Sequence, residues 1–335
     1  MEKKYSILAP EKSKKDLQEE QLYSNKQVSF SQRYATFLRG HMFVQSYGVS
    51  TKIYDAQKNK RSEVQFDAEV TMRQFPDLGY FEYTIKKEKI FINKQVPKTL
   101  VEKLAIITSK ALYPLKIKTS FKNELLSIVN HDEVVARWEN IKIQLQKEYE
   151  GEAFTLYIKK FESALYKESS LLASLKREAF YVLLFHDTYT MYDEKLQKEA
   201  EIHFPVSGFK VPLVFKGIQK ISKYRTYYDM VLTRFESMVS NTTTQATLNV
   251  EFDLDNNTFL LKNAIANCNI KNNETILKTL TTTVYHLTEK PTKYYSFEEQ
   301  KKDIKQRQKA IQKAIQKEKN KDLTLKQRFY NWLNN

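Results

Sequence analysis

Adjacent histidine and aspartate residues are the first feature of this sequence that could perform chemistry, because imidazole and carboxylate groups are ligands for divalent metal ions. The pairs are His131-Asp132 and His186-Asp187. No two histidines of the chain lie within one helical turn of each other, and H-E-x-x-H is absent. A metal site would therefore require two distant segments to converge in the fold.

These dipeptides resemble the His-Asp motif of the HD-type phosphohydrolases, a family that binds divalent metal ions. The resemblance covers only these four residues, and it implies phosphate hydrolysis at a metal centre. That family places its ligands on one helical core, whereas His131 stands at a helix start after a hairpin. The other interpretation is structural, with His131 in a capping region and His186 at the aromatic end of a long helix. We favour the structural interpretation and expect no metal and no other cofactor.

Glycine and cysteine usage argues against several enzyme classes. The six glycines, at positions 40, 48, 79, 151, 208 and 217, cannot assemble G-x-G-x-x-G, G-x-x-x-x-G-K-[ST] or G-x-S-x-G. Cys268 falls in a predicted strand, where a buried thiol is more typical than a nucleophile. Asp253-Leu-Asp255 begins like a calcium loop, but Thr258 and Ala264 occupy the positions that need Gly and Glu. We therefore expect a protein that is not an enzyme.

An aromatic and basic cluster near residue 224 is a candidate interaction site. The cluster consists of Lys220, Lys223, Tyr224, Arg225 and Tyr227. Its rings could stack on nucleic-acid bases while its cations meet phosphates. The same composition is typical of an exposed strand edge protected by lysine, and we favour that interpretation. Nucleic-acid binding is kept as the alternative function.

The C-terminal segment from residue 296 is helical by composition and strongly basic, with eleven Lys and Arg against five Asp and Glu between Glu298 and Arg328. Its apolar residues form a narrow stripe and a terminal cluster. The candidate docking residues are Ile304, Ile311, Ile315, Phe329 and Trp332. A helix this polar gains little by packing on its own domain, so we expect it to dock on a partner protein. An anionic membrane surface, RNA and the chain's own body are the alternatives.

Length, charge and composition limit the class of protein. The 335 residues include 55 Lys and Arg against 40 Asp and Glu, and the net charge of +15 attracts anions non-specifically. Twenty Phe and 21 Tyr supply enough aromatic surface for a sizeable core, which excludes wholesale disorder. No run of about 18 apolar residues occurs, so we expect no membrane span. One cysteine and an N terminus without a signal-peptide pattern lead us to expect a cytoplasmic protein.

Periodic patterns predict the elements that must position these residues. Apolar residues alternate with polar ones from Val64 to Met72, which is typical of a strand with one wet face, and residues 76–79 predict a turn into a partner strand over residues 80–85. Residues 115–121 and 124–129 predict a tight hairpin joined at Lys122-Asn123. Thr-rich segments between 224 and 287 predict a four-stranded meander. Two apolar stripes at helical spacing, in 134–149 and 154–175, predict two long helices. Because Gly151 separates them by a short loop, we expect an antiparallel helical hairpin.

These elements predict an α+β fold in which antiparallel β sections flank a long central helical hairpin, followed by a C-terminal basic helix. The expected units are a charged flexible arm, an N-terminal β section with one helix, the hairpin, a C-terminal β meander and a basic amphipathic tail. They span residues 1–26, 27–129, 130–200, 201–290 and 291–335. The pattern favours a non-enzymatic structural or assembly component of a larger cytoplasmic complex. Its expected partners are other proteins, including further copies of itself.

Overall fold

Strands account for most of the regular structure. The structure, a computed structural model, describes residues 23–30, 34–206, 208–209, 211–240, 244–273 and 275–321. Strands hold more residues than helices do, so the described structure is mainly β. No helix in these described ranges is both long enough and apolar enough to cross a membrane.

Strands and helices are numbered separately, in chain order. The strands are β1 (Tyr23–Gln27), β2 (Met42–Asp55), β3 (Lys60–Phe75), β4 (Tyr80–Ile92), β5 (Leu115–Thr119), β6 (Leu125–Ile128), β7 (Gln197–Phe204), β8 (Leu213–Ile221), β9 (Tyr224–Thr226), β10 (Met230–Ser240), β11 (Thr244–Asp255), β12 (Leu261–Asn272), β13 (Thr275–His286) and β14 (Lys293–Tyr295). The helices are α1 (Leu100–Ser109), α2 (His131–Glu148), α3 (Glu152–Leu165), α4 (Glu168–Leu175), α5 (Ala179–Leu184) and α6 (Phe297–Lys321). A 3₁₀ turn, Pro76–Leu78, joins β3 to β4.

Within the described residues, twelve strands form one antiparallel sheet. Its order is β6-β5-β4-β3-β2-β13-β12-β11-β10-β8-β7, and β14 pairs with the beginning of β2. β1 and β9 form a separate two-stranded sheet. Most of the predicted flexible arm, residues 1–22, lies outside the described ranges.

The predicted fold class is wrong, because the two β sections are parts of one sheet. β2 from the first section pairs with β13 from the second, with Asp55 opposite Lys278 and Tyr47 opposite His286. α2 and α3 do pack antiparallel, and the rings of Trp138 and Phe161 lie 4.6 Å apart. These helices, however, share one hydrophobic core with the sheet rather than standing between two sheets. The second predicted helix, over residues 154–175, is also divided into α3 and α4.

Several local predictions are confirmed. β3 and β4 pair across the turn at residues 76–79, where Gly79 has a φ of 71°. β5 and β6 form the hairpin expected at Lys122-Asn123, and Asn123 has a φ of 72°, which asparagine tolerates. β10 to β13 are the four neighbouring strands of the predicted meander. Cys268, on β12, is buried. Where residues pair with near neighbours in sequence, local patterns were sufficient.

The short helix α5 lies at the centre of the core, on the apolar face of the sheet. Five of its six side chains are buried. The ring of Phe180 lies 5.6 Å from that of Phe66 on β3. Just after the helix, Phe185 lies 5.0 Å from Tyr83 on β4. The opposite face of the sheet alternates with this one and carries polar, more exposed residues, as β11 illustrates.

Candidate ligand-binding pocket

A cavity of about 380 Å³ lies between the apolar face of the sheet and the beginning of α5; we refer to it as the α5 cavity. β2, β3 and β13 contribute to its walls, and the segment between β7 and β8 covers it. Its apolar lining includes Ile53, Val64, Phe66, Phe180, Val206 and Leu280. The volume lies in the range of about 300–1,000 Å³ that is typical of small-molecule sites.

The α5 cavity forms where the helical cover of the sheet is incomplete. The six residues of α5 span only about 9 Å along the helix axis. Val64 on β3 occupies a core-facing position, yet it is 37% exposed. The chain between β7 and β8 covers this region instead, and Pro205 and Pro212 lie at its two ends. The α5 cavity lies beneath this cover.

Lys87 places a positive charge at the α5 cavity. It continues the inward-facing positions of β4 that Tyr83 and Ile85 occupy. Its side chain is 13% exposed, and its Nζ lies 2.6 Å from Oε1 of Glu178. The same Nζ lies 3.8 Å from the centre of the Phe66 ring. A carboxylate and an aromatic face therefore both stabilise this ammonium group.

The surroundings of Lys87 keep its ammonium group protonated. Burial by itself lowers the pKa of Lys87, but the carboxylate of Glu178 and the hydroxyl of Tyr113 outweigh burial and raise the pKa above its ordinary value. Burial also raises the pKa of Tyr113 and of Tyr181, whose hydroxyls lie 2.9 Å apart. At neutral pH this region therefore contains one buried cation beside two uncharged hydroxyls.

A second cavity, of about 580 Å³, adjoins the α5 cavity at Lys87. It lies between the end of β4 and α1, and its lining includes Lys87, Ile90, Ile106 and Tyr113. β5 pairs with β4 only as far as Ile85, so α1 covers the remainder of β4. Lys87 is thus a wall residue of both cavities.

The lining of the α5 cavity includes side chains that solvent reaches. Phe209 and Val211, in the segment that covers the cavity, are both exposed. Arg177 and Glu178 line the same cavity immediately before α5. The arrangement can hold a molecule with an apolar body and a charged end.

The two His-Asp pairs contact different parts of the molecule. Nε2 of His131 lies 2.8 Å from the backbone oxygen of Leu165. The ring of His186 stacks on Phe252 at 4.8 Å, and its Nε2 lies 2.6 Å from Oε1 of Gln219. Burial lowers the pKa of His186 to about 4. Among the described residues, no three His, Cys, Asp or Glu side chains form a group that could hold a metal ion.

The residues of the nucleic-acid alternative lie at the end of β8 and around β9. They are Lys220, Lys223, Tyr224, Arg225 and Tyr227. Nζ of Lys223 lies 5.8 Å from the centre of the Tyr224 ring, and Tyr227 is exposed. Arg225, however, forms an ion pair with Asp229, with 3.0 Å between Nη1 and Oδ1. The structure thus brings Lys223 and Tyr224 together, but it uses the charge of Arg225 within the chain.

The candidate docking residues of the tail fall only partly within the described structure. Ile304 on α6 is half-buried. Ile311 and Ile315 belong to α6, but their side chains lie outside the described structure. Phe329 and Trp332 lie outside the described residues altogether. Docking through these residues stays a prediction.

The first two turns of α6 bind to the sheet. Oδ2 of Asp303 lies 2.6 Å from Nε of Arg73 on β3, and Gln300 donates a hydrogen bond to the backbone oxygen of Gln74. Arg73 and Gln300 are both buried. The chain's own body therefore holds the start of this helix through polar contacts, which the hydropathy of the segment did not predict.

Sequence patterns missed the pair formed by Lys87 and Glu178. The prediction ended its strand at residue 85, whereas β4 continues to Ile92. The alternation of side chains along the strand could have identified Lys87, because it places Lys87 on the same face as Tyr83 and Ile85. Glu178 carries no comparable signal, since its approach to Lys87 depends on how α5 packs on the sheet.

Comparisons with known proteins show a limited similarity in fold. No protein-family model and no curated protein matches the chain. Among solved structures, the chain is similar to one described as "lipid-protein interactions in lipovitellin", with a TM-score of 0.47 and 7% sequence identity over 77% of this chain. The match spans only 26% of the lipovitellin chain. At this score and identity, the similarity carries no functional argument.

Proposed function

We propose that this chain is a non-enzymatic binding protein for an amphipathic small molecule, and that the apolar part of the molecule occupies the α5 cavity. The supporting observation is the cavity itself, which has apolar walls and a buried cation, Lys87. Ligand burial there would be favourable by about 25 cal/mol for each Å² of apolar surface removed from water. The exposed side chains of Phe209 and Val211 mark the side from which a ligand would enter.

Filling the α5 cavity should weaken this binding. We expect Val64→Trp to weaken the binding of dodecanol at least about tenfold, because the indole would occupy the space that the alkyl chain needs. The measurement is isothermal titration calorimetry. Val214→Trp is the matched control, because Val214 also lies on a strand, is 39% exposed against 37% for Val64, and lies outside the cavity lining.

Two results would contradict the proposed function. One is the absence of binding between the wild-type protein and dodecanol at concentrations below the solubility limit of dodecanol. The other is equal binding by the Val64→Trp and Val214→Trp proteins, provided that both have the circular dichroism spectrum of the wild type. The neutral alcohol makes this test independent of any charged group in the cavity.

The assembly role expected from the tail is a second candidate function, and the anchoring of α6 favours it. The hydrogen bond and the ion pair that join α6 to the sheet come from Gln300 and Asp303, in its first two turns. The helix nevertheless continues to Lys321, which makes it about 37 Å long. We propose that its later part docks on another protein or a second copy of this chain. A cytoplasmic location also stays a proposal; Cys268, the single cysteine of the sequence, is free and buried, which a reducing compartment tolerates.

Shortening the tail tests this second candidate. Removal of residues 308–335 spares the anchored turns, so we expect a folded body that no longer co-purifies with the partners of the full chain. A second variant, the full chain with Ile311→Gln and Ile315→Gln, should lose the same partners if the apolar stripe docks. Partners that remain after truncation would contradict the docking role. Partners that disappear when nuclease is added to the full chain would favour nucleic acid instead.

A further inference from the structure

Lys87 is a buried cation whose counter-ion has access to solvent. The side chain of Lys87 is 13% exposed, and that of its partner Glu178 is 38% exposed. Glu178 immediately precedes α5, so its carboxylate can turn outward without disturbing the buried residues of the helix. The two partners of this ion pair therefore differ in burial: Lys87 lies on the core-facing side of the sheet, and Glu178 lies closer to solvent.

A buried ammonium group needs a negative partner. Removing the partner of a buried charge is strongly unfavourable, because the charge then lacks both water and a counter-ion. Departure of Glu178 is therefore costly unless another anion takes its place. The α5 cavity begins at this point, since Phe66 both contacts the ammonium group of Lys87 and lines the cavity.

We infer that the ligand is a monocarboxylate with an alkyl chain, and that its carboxylate replaces that of Glu178 on Lys87 while the chain occupies the α5 cavity. This inference rests on the proposed function, because it concerns the same cavity. Glu178 then keeps the charge of Lys87 neutralised while the cavity holds no ligand. Phe66 lies at the boundary between the charged end and the apolar part of the ligand.

The charges around the cavity match a carboxylate better than a phosphate. Among the described lining residues, the ionisable groups are two cations, Lys87 and Arg177, and one anion, Glu178. One additional negative charge balances them. A phosphate monoester carries about −1.5 to −2 at pH 7, so it would bring an unmatched negative charge next to the buried Lys87. The distance of 2.6 Å between Lys87 and Glu178 already shows that a carboxylate fits against the ammonium group.

Chain-matched ligands test this inference by isothermal titration calorimetry. Dodecanoate should bind the wild-type protein about tenfold more tightly than dodecanol, and also more tightly than dodecyl phosphate.

In the Lys87→Met variant, the preference for dodecanoate over dodecanol should disappear. In Glu178→Gln, which lacks the competing carboxylate, dodecanoate should bind about tenfold more tightly than in the wild type, while dodecanol binding should stay unchanged. Lys86→Met is the matched control, because Lys86 lies on the opposite face of β4 and pairs with Glu69.

The outcomes separate this inference from the function on which it rests. If the wild type binds neither dodecanol nor dodecanoate, the proposed function fails. If it binds both equally, or binds dodecyl phosphate more tightly than dodecanoate, the function stands and the carboxylate inference fails. Unchanged dodecanoate binding in a folded Glu178→Gln protein would also overturn the inference. The wild-type comparison decides the question even if a variant does not fold.

Discussion

At the scale of single residues, the chemistry of this protein depends on which partner each buried ionisable group has. Lys87 and His186 both lie between the sheet and the helices, and burial alone would lower the pKa of each. The pKa of Lys87 is nevertheless raised, whereas that of His186 is lowered. Burial lowers the pKa of Lys87, but the carboxylate of Glu178 outweighs it. His186 has the uncharged amide of Gln219 as its partner, so burial prevails and the pKa falls to about 4. One group stays a cation that can bind an anion, and the other stays neutral and structural.

His186 should make stability depend on pH. Its pKa is about 4 in the folded protein and 6.5 as the ordinary value, so the unfolded chain binds the proton more tightly. The stability contributed by neutral His186 is therefore present above pH 6.5 and is lost as the pH falls through 4. The difference corresponds to about 3 kcal/mol.

We expect the free energy of unfolding, measured in urea, to fall by about 3 kcal/mol more in the wild type than in His186→Gln between pH 7 and pH 4. The glutamine cannot take up a proton in this range, so the variant serves as the reference for all other titrating groups. Parallel pH profiles for the two proteins would show that His186 does not contribute in this way.

At the scale of elements, alternation predicts a strand well only where one face is wet. β3 and β11 show a clear alternation, and the sequence predicts both. β2 is buried on both faces from Gln45 to Val49, and the ring of Tyr285, on the neighbouring β13, lies over Gly48. A β-carbon on residue 48 would overlap that ring. Helix α5 is similarly apolar on nearly all sides, so it lacks the one-sided stripe of a surface helix.

At the scale of the whole molecule, the pairing of β2 with β13 joins the early and late strands into one sheet. The buried residues of the sheet and of the helices on it belong to one continuous core. Neither the strands before α2 nor those after α5 therefore form a separate sheet with its own core. The predicted boundaries at residues 130 and 201 stay predictions, but the hydrogen bonds between β2 and β13 join the sections on either side of them.

Equilibrium unfolding should accordingly show a single transition. Trp332→Phe leaves Trp138, a fully buried residue of α2, as the sole tryptophan of the chain. We expect the urea curve from its fluorescence to coincide with the curve from far-ultraviolet circular dichroism, because loss of the helices would expose the apolar face of the sheet. Curves with separate midpoints would show that the helices unfold independently of the sheet.

The sequence alone determined the elements whose residues interact with near neighbours: β3 and β4 with their turn, the hairpin of β5 and β6, the meander of β10 to β13, and the two helices around Gly151. Periodicity and turn chemistry are local properties, so they can be read without knowing the fold. Only the tertiary structure decided that β2 pairs with β13 and that Glu178 reaches Lys87. The first contact depends on backbone hydrogen bonds between segments more than 200 residues apart, and the second on how a short helix packs on the sheet. The α5 cavity exists only through such long-range packing, which leaves no repeating pattern in the residues that line it.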